Sequence, residues 1–406
     1  MKRALSVCLL AVLLTAVALL IGSTLPQVRF QAQADEGVYL VYASRVANGG
    51  LAGLRALFPL YAEHQEIAQH GGPAPHRLTT VLLHAVAVRL GGGNFTSLAV
   101  VSLLAFLALL AVTFFGVRGF WGERAAWWTV LLLSAAPLHL GLARRALSDT
   151  LTSCSMAAGL WLLCAMVWAS GKRSARLALW AIPAAYAAAF LVKESGLVLI
   201  PISLGLLAWQ AVRERRAPSF WQMSAVSWIP LALALAALLL VAGEPKVLWQ
   251  TMQFSISADG NVYGRQMQDG PWYRALVDLM LVSPWAVLLY LLSVGFFSAD
   301  RRQDAKFWFW ALVPVVLIVL MDVAPYRKNV RFLLLSEMAM RLCAVLLLQR
   351  LLGDRPGNVR SGLFMGMAVI AWVCVDLQAF RNLFVLEGIY DPVSFWLLLA
   401  RGFIHR

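Results

Sequence analysis

Long apolar runs separated by short charged connectors make up most of this chain, as Leu98 to Phe115 and Trp228 to Val241 illustrate. Runs of this length match the roughly 20 residues that an α-helix needs to cross a bilayer, whereas membrane β-strands alternate polar and apolar positions. We therefore predict an all-α polytopic membrane protein with about 11 transmembrane helices, 12 being the alternative count. The predicted spans are 4–22, 97–117, 125–142, 150–170, 177–192, 196–212, 222–242, 273–297, 307–323, 331–349 and 361–379.

The first apolar run, Ala4 to Ile21, follows Lys2 and Arg3 and has the length of a signal-peptide core. A small-residue cleavage site of the A-x-A kind is missing after Gly22. We therefore interpret the run as a retained span with a cytoplasmic N-terminus.

Composition supports the membrane class, since 61% of the residues are hydrophobic and only 13% are charged. The net charge of +14 does not indicate a nucleic-acid-binding protein, because the basic residues are scattered among connectors and form no single patch. The five cysteines lie inside apolar runs without metal-ligand spacing, which is typical of core residues. They are Cys8, Cys154, Cys164, Cys343 and Cys374.

Basic residues in short connectors mark the cytoplasmic side of a membrane protein. One orientation of the chain places the connectors richest in Lys and Arg on the cytoplasmic side. It requires that the stretch 78–90 does not cross the bilayer. That stretch is short, contains His84 and Arg89 and ends in three glycines, so we predict an interfacial or re-entrant helix. The connectors carry Arg118/Arg124, Lys172/Arg173/Arg176, Arg213/Arg215/Arg216, Arg301/Arg302/Lys306 and Arg350/Arg355/Arg360.

This orientation predicts a single transmembrane domain over residues 1–406 with three distinct segments. Residues 23–96 form the first extracytoplasmic loop, and 243–272 form a later one. Residues 381–406 form a C-terminal interfacial segment, because the apolar stretch within it is too short to cross alone.

Two adjacent carboxylates, Asp35 and Glu36, stand in the first loop just beyond the first span. A carboxylate close to a hydroxyl or amine can remove its proton during nucleophilic attack, so either is a candidate base. Asp149 is a third candidate, able to hold a basic residue or position an acceptor. The structural alternative is that Asp35 and Asp149 cap the helices that follow them.

Seven basic residues are predicted on the same side of the membrane as Asp35, and their side chains are suited to holding a phosphate. Any one of them is equally well explained as a solvated loop charge. The carboxylates, chiefly Asp35 and Asp149, are also weak candidates for a divalent cation, and metal dependence stays open. The basic candidates are His76, Arg77, Arg144, Arg145, Lys193, Lys328 and Arg331.

A set of short motifs in fixed order resembles the GT-C glycosyltransferases that use polyprenyl-phosphate sugars. This group includes protein O-mannosyltransferases and the aminoarabinose transferase of lipid A. The resemblance covers roughly residues 1 to 350. The motifs are the Asp-Glu-x-x-Tyr of 35–39, the proline elbow before His76-Arg77, Leu90 to Phe95, Leu140 to Asp149, Lys193 to Gly196, Gly270 to Tyr273, Ser283 to Trp285, and Arg331-Phe332.

The resemblance implies that Asp35 is the base, that Asp149 matches the Asp ending the second extracytoplasmic loop, and that His76 or Arg77 contacts lipid phosphate. Arg331 matches a basic position before a late span. The implied activity is inverting transfer of a hexose or pentose from a polyprenyl-phosphate donor to an extracytoplasmic hydroxyl or amine. The expected acceptor is a lipid, a glycan or a protein of the cell envelope.

The expected location is the bacterial inner membrane, with the active site extracytoplasmic. A lipid or solute transporter, or a flippase, is the alternative. It would place charged residues at the bilayer midplane within repeated, broken helices. No obvious internal repeat occurs in the sequence.

Overall fold

The structure, a computed structural model, describes residues 2–32, 34–68, 72–215, 217–256, 271, 273–299, 304–323, 329–352, 359–388, 395 and 399–400. These residues form helices joined by short turns, and none of them lies in a strand. The predicted all-α fold class is therefore confirmed.

Eighteen α-helices are described. They are α1 (Lys2–Thr24), α2 (Asp35–Arg55), α3 (Leu57–Ala68), α4 (Leu78–Gly91), α5 (Phe95–Trp121), α6 (Glu123–Ser134), α7 (Pro137–Ala143), α8 (Asp149–Trp168), α9 (Lys172–Val192), α10 (Leu199–Glu214), α11 (Phe220–Val226), α12 (Trp228–Ala242), α13 (Pro245–Ile256), α14 (Arg274–Val282), α15 (Pro284–Ala299), α16 (Ala305–Val323), α17 (Leu334–Leu351) and α18 (Val359–Ala379). Shorter turns cover Leu25–Gln27, Glu194–Val198, Val330–Leu333 and Phe380–Leu386.

Within the described ranges, 9 helical segments are long and apolar enough to cross a membrane, or up to 11 if two bent helix pairs each count once. All of them coincide with predicted spans, so the chain is an integral membrane protein. Helix α4 is apolar but has only 14 residues. At about 1.5 Å per residue it is roughly 21 Å long, short of the roughly 30 Å hydrocarbon core.

Two predicted spans are bent in the structure. The α6–α7 pair bends by 61° and the α14–α15 pair by 119°. In each case the second helix begins with a proline, Pro137 or Pro284, whose ring fixes φ and whose nitrogen donates no hydrogen bond. The residues of 125–142 and 273–297 are mostly apolar throughout. Hydropathy alone therefore predicts one straight span for each and does not detect the bend.

The last described span is longer than predicted, because a π-helical turn over Phe380–Leu386 continues α18 without a gap. The predicted segment 381–406 therefore begins, in its described part, as a continuation of the membrane helix. Its later residues lie almost entirely outside the described ranges, and its interfacial character stays a prediction.

The chain divides into two compact units. The first unit contains Met1–Val28, Phe106–Arg144 and Met267–Arg406, and the second contains Arg29–Ala105 and Arg145–Gln266. The single transmembrane domain over residues 1–406 stays a prediction.

The first unit buries an ion network between two of its spans. The fully buried Arg341 guanidinium donates to Glu337 Oε1 at 2.8 Å and to Asp376 Oδ2 at 2.6 Å. It also donates to the Leu132 carbonyl at 2.9 Å and to Ser283 Oγ at 2.9 Å. Charges inside a bilayer are tolerated when they are paired in this way, and Ser283 lies at the sharp bend between α14 and α15.

In the second unit, α2 packs on α4, and α8 packs on α9. Beneath α2, aromatic and aliphatic side chains such as Tyr42, Phe58 and Leu57 form a buried cluster. A second cluster around Tyr39, Ala43 and Leu98 lies closer to the start of α2. These clusters hold the first turn of α2 in place.

Candidate functional site

Asp35 and Glu36 open helix α2, where negative charge is stabilised by the helix dipole. Asp35 is half-buried and Glu36 is buried. The chain before the helix folds tightly back on it, because a Cβ at Gly37 would stand 1.7 Å from the Ala32 carbonyl oxygen. Only glycine leaves room for this approach, so Gly37 fixes where the two carboxylates point.

Glu36 is fully engaged by its surroundings. Arg145 donates to its two carboxylate oxygens at 2.8 and 2.7 Å, and the backbone N–H groups of Gln31 and Ala146 donate at 2.7 and 3.0 Å. A carboxylate accepts about four hydrogen bonds, so little capacity is left for a substrate. Glu36 therefore links the first loop to the loop before α8 through these hydrogen bonds.

Asp149 is the first residue of α8, and Ser148 is its N-cap. Lys193 Nζ donates to Asp149 Oδ1 at 2.5 Å, and both side chains are buried. Lys193 ends α9, in an extended conformation that turns the chain toward α10. The pair therefore ties the start of α8 to the end of α9, the helix against which α8 packs.

His76 and Arg77 converge on a carboxylate that the sequence alone did not single out, Glu194. Arg77 Nε lies 2.9 Å from Glu194 Oε1 and Arg77 Nη2 lies 2.9 Å from Oε2, while His76 Nε2 lies 2.6 Å from Oε1. Nearby, Thr80 Oγ1 donates to the Val192 carbonyl at 2.9 Å. The proline elbow and the α9–α10 junction are thereby held together.

Tyr39 connects these segments. Arg77 Nη1 donates to the Tyr39 hydroxyl at 2.9 Å, and that hydroxyl donates to Ser148 Oγ at 3.1 Å. Burial, partly offset by Arg77, raises the pKa of Tyr39, so its hydroxyl stays protonated. Burial lowers the pKa of Arg77, but Glu194 and Tyr39 outweigh it and raise that pKa well above its ordinary value. A chain of polar contacts thus runs from Glu194 to the residue before Asp149.

A buried histidine lies against this chain. The ring of His84 meets that of Tyr39 edge-on at 5.3 Å between centroids. Burial lowers the pKa of His84 to about 4, and neither ring nitrogen has a hydrogen-bond partner among the described residues. His84 is therefore neutral at physiological pH.

Two of the predicted phosphate ligands, Arg144 and Arg331, make contacts within the first unit. Arg144 belongs to the first unit, where its buried guanidinium donates to the carbonyls of Phe384, at 3.0 Å, and Thr24. Arg331 also lies in the first unit, with its guanidinium 5.3 Å from the Phe332 ring centroid. Lys328 lies outside the described residues.

The second unit thus brings together Asp35, Glu36, Asp149, His76, Arg77, Arg145 and Lys193. Across the described ranges, no three His, Cys, Asp or Glu side chains are grouped as metal ligands. The three carboxylates considered for a cation, Asp35, Glu36 and Asp149, accordingly do not form such a group among the described residues.

Sequence reasoning missed the residues that link the set: Glu194, Tyr39 and Ser148. Glu194 was visible within Lys193-Glu194-Ser195, and Tyr39 within Asp-Glu-x-x-Tyr. Asp35 and Tyr39 are four residues apart on one helix, so a shared face was the available signal.

The fold is shared with solved structures of membrane glycosyltransferases, the class that the sequence motifs resemble. Two solved structures of ArnT, the lipid A aminoarabinose transferase, from Cupriavidus metallidurans match with TM-score 0.58 and 18% identity, over 96% of this chain and 74% of ArnT. One of them is the apo state and the other is bound to undecaprenyl phosphate.

An oligosaccharyltransferase from Archaeoglobus fulgidus, tethered to an acceptor peptide containing the NVT sequon, matches with TM-score 0.59 and 12% identity. The match covers 92% of this chain and 55% of that one. No family model matches the sequence, and no curated protein matches it either. At identities this low, these structural matches establish a shared fold alone.

Proposed function

We propose that this protein transfers a sugar from a polyprenyl-phosphate donor to a hydroxyl or amine on the extracytoplasmic side of the membrane, with inversion at the anomeric carbon. The observation that carries the proposal is the gathering of carboxylates and cations in one unit of a GT-C fold. The structural neighbours supply the context, because ArnT was solved with undecaprenyl phosphate.

Asp35 is the base in this proposal. Its carboxylate is half-buried at the first position of α2, beside the hydrogen-bonded Glu36. The Glu36–Arg145 pair fixes the first turn of α2, so Asp35 is held in position by its neighbour. As Asp35 takes the acceptor proton, the acceptor oxygen or nitrogen attacks the anomeric carbon and the bond to phosphate breaks.

Cationic side chains stabilise the leaving phosphate. Arg77 and His76 contact Glu194, whose side chain is 24% exposed. A fixed guanidinium in a low-dielectric setting stabilises charge that develops on phosphate oxygens. Lys193 is engaged with Asp149, and this pair positions the loop at the start of α8. Arg144 donates to backbone carbonyls within the first unit, and its part in phosphate binding stays a prediction.

The proposed location is the bacterial inner membrane, with the N-terminus cytoplasmic and the site extracytoplasmic. The excess of arginine and lysine in alternate connectors supports this orientation. The acceptor in this proposal is a lipid, a glycan or a protein of the cell envelope.

The experiment uses purified protein in proteoliposomes with a panel of undecaprenyl-phosphate sugars labelled in the sugar, together with cell-envelope acceptors. Transfer of label, equimolar release of undecaprenyl phosphate and an inverted anomer are expected, and parallel reactions with chelator test metal dependence. Movement of intact donor across the vesicle membrane without bond cleavage would instead indicate the transporter alternative.

A further inference from the structure

The Glu194 carboxylate is held as a bound anion would be held. Arg77 Nε donates to both of its oxygens, at 2.9 and 3.1 Å, and Arg77 Nη2 lies 2.9 Å from Oε2 in an ion pair. His76 Nε2 approaches Oε1 at 2.6 Å from a second direction. A guanidinium fork binds carboxylate and phosphate oxygens in the same bidentate geometry. The cradle around Glu194 therefore suits a phosphate group equally well.

Solvent exposure distinguishes the Glu194–Arg77 ion pair from the Asp149–Lys193 and Glu36–Arg145 pairs of the site. The Glu194 side chain is 24% exposed, whereas those of Asp149 and Glu36 are 3% and 1% exposed. A carboxylate that already touches water can be hydrated when it leaves its partner, whereas a buried one is left as an uncompensated charge. Of these three acidic side chains, Glu194 is the one suited to exchange.

The backbone at the α9–α10 junction is tightly packed, so the Glu194 side chain can move more easily than the junction itself. Glu194 begins the 3₁₀ turn Glu194–Val198, a type of structure common at helix junctions. Two residues later the chain packs tightly, since a Cβ at Gly196 would stand 2.5 Å from the Ala189 carbonyl oxygen. The cradle is also fixed from its far side, because Arg77 Nη1 donates to Tyr39. Arg77 would thus stay in place after Glu194 leaves.

We propose that Glu194 occupies the place of the donor phosphate on Arg77 and His76, and that the lipid-linked phosphate displaces it on binding. This inference rests on the proposed function and concerns the same site. The return of Glu194 after transfer competes with the polyprenyl phosphate product and speeds its release, a step that limits many enzymes. Glu194 is in this scheme a positioning residue that alternates with the ligand.

The experiment measures binding of undecaprenyl phosphate to the full-length protein in nanodiscs. Glu194→Gln removes the competing charge but keeps the shape, so Kd is expected to fall about tenfold, equivalent to one charge-assisted contact. Arg77→Ala is expected to abolish binding. Glu214→Gln, the same change at the exposed end of α10, is the matched control and leaves Kd unchanged.

A second variant protects the test against misfolding. Glu194→Asp keeps the charge but withdraws it by one methylene, and Kd is expected to fall about threefold. A Kd raised or unchanged in both variants, with wild-type binding intact, overturns the placeholder role and leaves the proposed function standing. Failure of the wild type to bind the lipid overturns both.

Inorganic phosphate is titrated as a separate ligand to identify the source of the phosphate. Tighter binding of the lipid by Glu194→Gln, with weak binding of inorganic phosphate throughout, supports the proposal. Tighter binding of inorganic phosphate alone would contradict it. In the transfer assay, slower release of undecaprenyl phosphate by Glu194→Gln is the matching kinetic result.

Discussion

Lys193 Nζ lies 2.5 Å from Asp149 Oδ1, with 7% and 3% of the two side chains exposed. Removing one partner of such a pair leaves an uncompensated buried charge. We expect Lys193→Met to lower the free energy of unfolding by about 3–5 kcal/mol. Thermal unfolding in detergent measures this loss.

The double variant Lys193→Met with Asp149→Asn serves as the control in a mutant cycle. Because the stranded charge is gone, much of the stability is expected to return. If the stability losses of Lys193→Met and Asp149→Asn add up to the loss of the double variant, the two residues are not coupled. Activity that stays absent after stability returns would assign the pair a part in transfer.

Asp35→Asn is expected to reduce sugar transfer by about 10²–10⁴-fold, since the amide cannot accept the acceptor proton. The unfolding temperature is expected to stay near that of the wild type. The measurement is the initial rate of label transfer from the donor.

Asp304→Asn makes the same chemical change at an exposed position of the first unit and is expected to leave transfer unchanged. Full activity in Asp35→Asn would remove Asp35 from the role of base. Equal loss in both variants would point to a general effect of charge.

Gly37→Ala tests the close approach of the chain to the first turn of α2. The added methyl would meet the Ala32 carbonyl at 1.7 Å, and the backbone must shift. We expect a loss of about 1–3 kcal/mol in stability, together with lower transfer because Asp35 moves. Unfolding and transfer rates are measured on the same preparations.

Gly49→Ala is the matched change on the same helix, where the added methyl meets nothing within 4 Å. It is expected to be neutral, or to gain up to about 1 kcal/mol from helix propensity. Indistinguishable behaviour of the two alanine variants would show that the turn before α2 can relax freely.

His84 makes stability depend on pH. Its pKa is lowered to about 4 in the folded protein, from an ordinary value of 6.5. Between these values the unfolded chain binds more protons, so stability falls as the pH is lowered from about 6.5 to about 4, by roughly 3 kcal/mol in total. Unfolding curves measured across this window test the slope.

His84→Phe keeps an aromatic ring beside Tyr39 and removes the titrating group. Its stability is expected to change less over the same window, with the difference concentrated below pH 6.5. A slope identical to that of the wild type would show that other groups govern the acid response.

The sequence predicted the membrane helices well because their signal is local. A span needs only length and low polarity, and both can be read from adjacent residues. Local sequence also predicts that α4 does not cross the bilayer, because the helix is short and contains His84 and Arg89. The bends at Pro137 and Pro284 were missed because apolar content continues through them.

The partners of charged residues could not be predicted, because they depend on packing between distant segments. Arg144 and Arg145 are adjacent and chemically identical, yet one bonds backbone carbonyls and the other bonds Glu36. Arg77 was expected to meet a phosphate, and in the structure it meets Glu194, which is 117 residues away in the chain. Spacing within one helix is the exception, because residues four apart lie on one face, as Glu337 and Arg341 do.

That pair has a consequence for how the chain enters the membrane during synthesis. Arg341 brings its own counter-charge, Glu337, one turn earlier on α17, so the helix can be inserted without a lone cation, which would cost about 2.5–3.5 kcal/mol at the bilayer centre. Asp376 arrives only when α18 has been translated. The last membrane helix therefore completes the charge pairing of an earlier one, and a nascent chain stalled before it would hold Arg341 with one of its two carboxylate partners missing.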